Sequence, residues 1–157
     1  AGRMCPTVTF ASGTHTFGAV ATDKAGNTDE TRVTHTFTMP VNNKALTHSK
    51  GWTKAKIRGT FLNTASISKK RGAKLATKAT GIKRIALVAS KGKGNGVVKV
   101  MLGKKTLKKV NLAQKRNVKK KVVPIARFPS PVSGKVTVQV VSQGKKVVIE
   151  GFGIATG

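Results

Sequence analysis

VTVQV at residues 136–140 alternates apolar and polar side chains with a period of two, the pattern of a strand with one face in a core. The same alternation runs through VKVML at residues 98–102. IALVA at residues 85–89 is apolar throughout, a pattern that also suits a strand. All three stretches predict strands rather than helices.

Turn signals separate these stretches at short intervals. About eight strands with such spacing predict an antiparallel β-sandwich or barrel. Each signal contains a glycine, which permits a positive φ: Arg71-Gly72, Gly92–Gly96, Leu102-Gly103-Lys104, Ser133-Gly134 and Gln143-Gly144-Lys145.

Charge divides the chain into two segments. Residues 1–43 hold three basic and three acidic residues, whereas residues 44–157 hold the other 28 basic residues against Glu150 alone and supply the whole net charge of +27. So basic a segment must either meet a polyanion or stay in solution through its own repulsion. Regularly spaced Val, Ile, Leu and Phe indicate that residues 44–157 fold, and their 114 residues suffice for one modest core.

The first segment carries a pattern of its own. Residues 13–28 read GTHTFGAVATDKAGNT and residues 33–39 read VTHTFTM, which predicts two strands joined by a polar turn. The pattern resembles the last hairpin of bacterial immunoglobulin-like repeats. That resemblance implies that Asp23 and Gly26-Asn27 shape the turn, and that residues 1–43 are the end of a non-catalytic extracellular spacer or adhesive module.

Cys5 is the single cysteine of the chain. Related repeats often pair a cysteine at this place with one further upstream, so the resemblance implies half of a disulfide in an exported protein. A small buried apolar residue is the alternative. The chain opens with Ala1-Gly2-Arg3, without an initiator Met or an apolar leader, and we expect it to be the end of a longer polypeptide.

The second segment resembles the galactose-binding-like jelly-roll module that closes many secreted actinobacterial proteins. The resemblance covers nearly all of residues 44–157 and implies a jelly-roll sandwich. Acidic positions of the module's motifs are replaced, because Leu102 precedes Gly103 where Asp is usual and Glu150 stands for a late Asp. The matching motifs are Gly51-Trp52, residues 71–75, residues 80–82, residues 90–96, residues 98–104, residues 110–112, residues 133–136 and residues 147–152.

Enzymatic chemistry is poorly supplied in residues 44–157. Glycoside hydrolysis usually needs two carboxylates, and only Glu150 is present. A Ser or Cys nucleophile needs a base and an orienting group, but His48 is the only histidine and cysteine is absent. The same shortage excludes a zinc site. We therefore expect no enzyme, metal or cofactor in this segment, and no stretch approaches the roughly 20 apolar residues that cross a bilayer.

Two smaller alternatives concern metal and phosphate. Four oxygen-bearing residues of the first segment form a candidate calcium set, although a turn explains the first two without a metal: Asp23, Asn27, Asp29 and Glu30. Gly92–Gly96 follows the strand Arg84–Ala89 and is rich in glycine like a phosphate-binding loop. Because Val97–Val100 continues as a strand and not as a helix, we predict a hairpin turn.

Aromatic residues are few. Trp52, the only tryptophan, is a candidate stacking platform for a sugar ring, and packing at the sandwich edge is the favoured alternative. Phe61, Phe128 and Phe152 are predicted core residues. No tyrosine is present, so the usual aromatic groups for stacking sugars or bases are scarce.

Lysine runs are the remaining candidates for function, although a solvated surface is the usual explanation of single pairs. Only five of the 28 basic residues after residue 43 are arginine, whose planar fork grips guanine and phosphate in two places. Lysine supplies point charge, which favours non-specific attraction to phosphate or carboxylate polymers. The predicted polyanion-binding residues are Lys69, Lys70, Arg71, Lys91, Lys93, Lys104, Lys105, Lys108, Lys109, Lys119, Lys120 and Lys121.

Together these patterns predict an all-β chain with a terminal immunoglobulin-like hairpin in residues 1–43, a linker near Pro40–Ser49, and a basic jelly-roll sandwich in residues 44–157. The predicted function is a non-catalytic, extracellular or cell-surface module that binds anionic cell-wall glycan or another polysaccharide. A non-specific nucleic-acid binder and a spacer whose charge serves only solubility are the alternatives.

Overall fold

The structure, a computed structural model, describes residues 11–19, 22–28 and 33–156. It begins with an antiparallel hairpin of β1 (Gly13–Ala19) and β2 (Val33–Met39), in which Gly13 pairs with Met39. Cys5, Asp29 and Glu30 lie outside the described residues, so the disulfide and calcium hypotheses stay predictions. No described helix is long and apolar enough to cross a membrane.

Asp23 organises the described part of the hairpin turn. Its Oδ1 accepts hydrogen bonds from the backbone N–H groups of Ala25 and Asn27, each at 2.9 Å, and its Oδ2 accepts one from Asn27 Nδ2 at 3.0 Å. The side-chain bond from Asn27, followed by its backbone bond, holds the pKa of Asp23 below the usual value. The predicted turn is thus present, while the immunoglobulin-like origin of the hairpin remains a prediction.

The remaining strands form one antiparallel sheet that curls into a sandwich, which confirms the predicted all-β jelly-roll class. The strands predicted at residues 85–89, 98–102 and 136–140 are all present. The hairpin turn predicted at residues 92–96 is wrong, because the two strands that this stretch joins do not pair with each other; the strand that contains residues 136–140 lies between them in the sheet. In chain order the strands are β3 (Val41–Asn42), β4 (Thr47–His48), β5 (Thr53–Lys56), β6 (Thr64–Ser68), β7 (Lys74–Lys91), β8 (Val97–Leu102), β9 (Lys105–Asn111), β10 (Val118–Val140) and β11 (Val147–Ala155).

Two long strands, β7 and β10, belong to both layers of the sandwich. The second half of β7 pairs with the first half of β10 on one side and with β11 on the other. β11 also pairs with β6, and β6 pairs with β5. These five strands form layer one. The first half of β7 pairs with the second half of β10 and with β4. β10 also pairs with β8, which in turn pairs with β9, and these strands form layer two. The register of β10 shifts between Arg127 and Val132, where the strand passes from one layer to the other.

The core lies between the layers and is built from the inward positions of each strand. Alternate residues of β8 are buried, as in Val98 and Val100, while their neighbours are partly exposed. At the end of β10 the alternation is incomplete, because Thr137 is buried together with Val136 and Val138. Phe152 on β11 is fully buried and Phe128 packs partly buried against the core, as predicted. Phe61 is half-buried and lies outside the core cluster.

Residues Pro40–Ser49 are not a linker, because they take part in the sandwich. β3 pairs with β11 and β4 pairs with β7, with a short 3₁₀ turn, Asn43–Ala45, between them. Leu46 and Asn43 are buried. Short strands of two residues leave no period to read in the sequence, which is why composition suggested a linker here.

Candidate functional site

Every exposed charged side chain of the described part of residues 44–157 is cationic. All 28 lysines and arginines of this segment are exposed except Lys91 and Lys99, which are half-buried. Its single acidic residue, Glu150, is fully buried. The charge therefore meets solvent everywhere, without a carboxylate from this segment beside it.

Glu150 lies at the bulge of β11, between Ile149 and Gly151. Its Oε1 accepts hydrogen bonds from Ser90 Oγ at 2.7 Å and from the backbone N–H of Lys120 at 3.0 Å, and its Oε2 accepts one from the backbone N–H of Phe61 at 2.7 Å. Three donors satisfy the buried carboxyl group, as burial of such a group requires. The residue therefore joins three segments of layer one, and the described structure gives it no open face for catalysis.

A flat array of lysines covers the outer face of layer two. Gln139 on β10 lies between Lys74 on β7 and Lys99 on β8, and Lys99 in turn lies opposite Lys109 on β9. One further cross-strand pair stands four residues along, where Lys135 lies opposite Lys78. We call Lys74, Lys78, Lys99, Lys109 and Lys135 the lysine face.

Cross-strand neighbours on one face lie about 5 Å apart at their Cβ atoms, and residues two apart on a strand repeat at roughly 7 Å. Lys74 lies two strands from Lys99, about 10 Å, and the two rows are about 13 Å apart. Lys99 and Lys109, and likewise Lys78 and Lys135, are directly opposed and so lie closer than a Debye length at physiological salt, about 8 Å. Like charges so placed repel each other unless an anion lies across them. The face is suited to a polymer that carries several anionic groups.

A second group of cations gathers where three turns meet at one end of the sandwich. The N–H of Gly144 donates to the carbonyl oxygen of Lys69 at 2.9 Å, and a Cβ on Gly51 would lie 2.8 Å from Cδ of Lys70. We call the basic residues of these turns the turn cluster: Lys50, Lys69, Lys70, Arg71, Lys145 and Lys146.

Trp52 lies two residues after Lys50, a member of this cluster. Its side chain is half-buried and packs against the core, and its Nε1 is buried without a hydrogen-bond partner in the described structure. Its ring is therefore partly covered by the core on one side, next to Gly51 and the turn cluster. The geometry does not test whether this ring stacks on a sugar, so stacking remains a prediction.

The predicted polyanion-binding residues lie on several separate surfaces. Lys69–Arg71 belong to the turn cluster, and Lys91 and Lys93 lie at the adjoining turn, where Gly96 N donates to Lys146 O at 2.9 Å. Lys104 and Lys105 form the β8–β9 turn, and Lys109 belongs to the lysine face. Lys119–Lys121 begin β10, where Lys119 Nζ donates to the carbonyl oxygen of Arg58 at 2.7 Å.

Four members of the lysine face were not predicted. Lys74, Lys78, Lys99 and Lys135 stand alone in the sequence and not in runs, and only strand register brings them together. The available signal was alternation, since Lys99 stands between the buried residues Val98 and Val100.

Comparison with solved structures places this fold beside modules from proteins of carbohydrate metabolism. A family 6 carbohydrate-binding module from Clostridium cellulolyticum, solved with xylose, superposes with a TM-score of 0.51 at 10% identity, covering 74% of this chain and 95% of that one. Xanthan lyase from Paenibacillus gives 0.60 at 10% identity over 80% of this chain, and a family two carbohydrate esterase from Cellvibrio japonicus gives 0.54 at 12% identity over 90%.

The chain spans 15% of the xanthan lyase and 33% of the esterase, so in both it matches a part of a longer protein. No protein-family profile and no curated protein matches the sequence. At such low identity the likeness establishes the fold, a β-sandwich of the jelly-roll kind shared with carbohydrate-binding modules.

Proposed function

We propose that this chain is a non-catalytic, extracellular module that binds an anionic polysaccharide, such as a cell-wall polymer, through exposed lysines. The observation that carries the proposal is the lysine face, where five cations stand in register on one sheet surface. The only carboxyl group of residues 44–157 is buried and held by three hydrogen bonds. Such a surface favours a partner that supplies the missing negative charge.

The polysaccharide class rests on the fold. A solved module of this fold carries bound xylose, and longer solved proteins that contain a matching part include a xanthan lyase and a carbohydrate esterase. A fold does not by itself assign a ligand, so the chemistry of the surface must agree with it. Lysine ammonium groups and a flat face suit the repeated phosphate or carboxylate groups of a linear glycan.

The lysine face also limits the specificity we expect. Lysine offers a mobile point charge rather than the rigid fork of arginine, and the face carries no aromatic residue to stack a ring or a base. Affinity should therefore follow charge density and fall steeply as salt is raised. Duplex DNA is the competing partner on these grounds, and the experiment must separate the two.

The test measures binding of the whole chain to wall teichoic acid, duplex DNA and neutral xylan across a salt series. The variant Lys74→Ala/Lys99→Ala/Lys109→Ala is compared with Lys44→Ala/Lys56→Ala/Lys83→Ala, which removes three exposed lysines from other surfaces. We expect tight binding to teichoic acid at low salt, little to xylan, and a logarithmic salt slope that falls by about 2 in the first variant and less in the control.

Equal losses in both triple variants would show that the whole surface acts as a generic polycation and would contradict the role of the lysine face. Tighter binding to DNA than to teichoic acid at every salt concentration would favour the nucleic-acid alternative. Absence of binding at low salt would favour the spacer.

A further inference from the structure

The outer face of layer one contains a cleft that the lysine face lacks. Its volume is about 580 Å³, within the range of roughly 300–1,000 Å³ that small-molecule sites occupy. Adjacent strands supply small apolar residues in register, with Ala86 on β7 lying between Gly153 on β11 and Pro124 on β10. Val122 lies opposite Val88 in the same cleft and is 54% exposed. Residues Thr38 and Pro40 contribute to the lining.

Two arginines belong to the same lining. Arg84 on β7 lies directly opposite Arg127 on β10, and Ala155 on β11 lies on the other side of Arg84. Both guanidinium-bearing side chains are exposed, and neither forms an ion pair with any described residue. Like charges placed opposite each other destabilise a sheet. Two of the five arginines of residues 44–157 thus meet at one apolar cleft, where a single anionic group would relieve their repulsion.

The free edge of β10 is blocked, so the cleft does not invite an added strand. Pro124 has no N–H to donate, and Lys108 Nζ donates to its carbonyl oxygen at 3.0 Å. Lys119–Lys121 place three charges near the beginning of the same strand. Charged side chains and proline are the devices that keep sheet edges from pairing. A ligand therefore lies on the face of layer one, not along its edge.

We infer that this cleft binds a single-chain amphiphile with one anionic head group, such as a long-chain carboxylate. The head group lies between the guanidinium groups of Arg84 and Arg127, whose planar forks each hold a carboxylate by two hydrogen bonds. The alkyl chain lies along the apolar strip formed by Ala86, Val88 and Gly153. A sugar ring suits this lining poorly, because it contains no aromatic side chain and Thr38 supplies its only side-chain hydroxyl.

The site is independent of the proposed polysaccharide function, because the cleft and the lysine face lie on outer faces of different layers. The two also differ in how salt should act on them. Apolar contact along the cleft does not weaken when salt is raised, whereas attraction across the lysine face does.

The test is calorimetric titration of the whole chain with dodecanoate, below its micelle-forming concentration, in buffer of physiological salt. Acetate provides the head group without the chain, and dodecyltrimethylammonium provides the chain with the opposite charge. We expect saturable binding of one dodecanoate and no measurable binding of either control. Arg84→Ala/Arg127→Ala should weaken the binding at least tenfold, the loss expected when one charge-assisted hydrogen bond is removed.

A matched variant removes two charges from the same two strands at another place. Lys78→Ala/Lys135→Ala deletes a cross-strand pair of the lysine face and should leave dodecanoate affinity unchanged. Gly153→Leu should abolish binding by filling the cleft, since Gly153 lines it and a Cβ at this position meets Ala86 Cβ at an ordinary 3.5 Å. Circular dichroism of each variant confirms that it is folded.

Three results would overturn the inference. Equal weakening by both double variants would mean that dodecanoate merely follows net charge. Binding of dodecyltrimethylammonium as tight as that of dodecanoate would leave the arginines without a role. Binding of an oligogalacturonate that depends on Arg84 and Arg127, without binding of dodecanoate, would make the cleft a site for acidic sugar.

Discussion

The outer faces of layers one and two are made by the same two long strands, β7 and β10, yet they have opposite properties. The face of layer two carries the lysine face. On layer one, three segments approach β11. The first is β3, which pairs with Gly151, and the second is the loop of residues 57–63, in which the N–H of Phe61 donates to Glu150. The third is the N-terminal hairpin, in which Thr14 Oγ1 accepts a hydrogen bond from the N–H of Thr156 at 3.1 Å.

The difference teaches how one sandwich can present two kinds of surface. A face that no segment covers holds its side chains at the spacing of the strands. Such a face offers charge but no concave site. A face with covering segments can enclose a cleft and bury a polar group, and so presents shape. Four changes test whether this division between the layers holds.

The largest effect is expected at Glu150, which joins the covering loop at Phe61 to β7 and β10 of layer one. Replacing it with alanine leaves the backbone N–H groups of Phe61 and Lys120 and the hydroxyl of Ser90 without their acceptor. We expect Glu150→Ala to lower the free energy of unfolding by about 3 kcal/mol in urea denaturation. Ser90→Ala, which removes one of the three donors, should cost less; an equal loss would mean that the network does not act as described.

Gly151 tests how closely β3 covers β11. A Cβ at Gly151 would collide with the carbonyl oxygen of Val41, whereas one at Gly153 meets only Ala86 Cβ at 3.5 Å. We expect Gly151→Ala to destabilise the fold by about 2 kcal/mol, as overpacking does, and Gly153→Ala to be nearly neutral. Thermal unfolding of the two variants makes the comparison. Similar melting temperatures would show that β3 yields easily and is not a fixed cover.

The lysine face should become more stable when one of its charges is reversed. Lys109 lies opposite Lys99, so Lys109→Glu replaces a repulsive pair with an attractive one. The free energy of unfolding should rise by about 0.5 kcal/mol at low salt, and the gain should shrink as salt is raised. Lys109→Gln serves as the control and should gain less. If the variant is no more stable than wild type at low salt, repulsion between Lys99 and Lys109 does not affect stability.

The smallest effect is expected at His48, which joins the two layers at one margin. On β4 of layer two, its Nδ1 lies 2.8 Å from the carbonyl oxygen of Leu46, and its Nε2 lies 2.6 Å from Ser66 Oγ on β6 of layer one. Burial lowers the pKa of His48 below its usual 6.5; the charge of Lys54 adds to the shift, and the Leu46 carbonyl opposes it.

Because the folded pKa is the lower one, the unfolded chain takes up a proton first as the pH falls. This contribution to stability is fully present above about pH 6.5 and is lost as the pH falls through the folded pKa. Melting temperatures measured from pH 7.5 to pH 5 should therefore decline slightly, and the decline should be smaller in His48→Gln. Identical pH profiles would exclude His48 as the source.

The sequence predicted the strands well and the surfaces less well, for a physical reason. Alternation at residues 98–102 and 136–140 is a local property, so it identifies strands without knowledge of their partners. Arg84 and Arg127 meet only through the register of β7 and β10, which no local pattern specifies. The same holds for Lys99 and Lys109. The run Lys119–Lys121 was predicted as part of the binding surface, yet it lies at a bulge of β10, where Lys120 has a φ of 52° and its N–H donates to Glu150 Oε1, which no local pattern specifies.

Glu150 shows a second limit. Its isolation among cations identified it as the last acidic residue, but its burial depends on a bulge in β11 and on donors 89, 60 and 30 residues away. Local sequence patterns cannot predict such a hydrogen-bond network, because each donor lies on a different element.

The position of β11 has a consequence for how the chain folds during synthesis. This strand, Val147–Ala155, is the last of the sandwich in sequence, yet it lies inside layer one between β6 and β7. β6 and β7 do not pair with each other, because β11 lies between them. Layer one therefore cannot close until residue 155 has left the ribosome. Folding must then bring together segments distant in sequence, which slows it. During that interval, repulsion between the 28 positive charges opposes the association of unfinished chains. This effect of the charge needs no ligand.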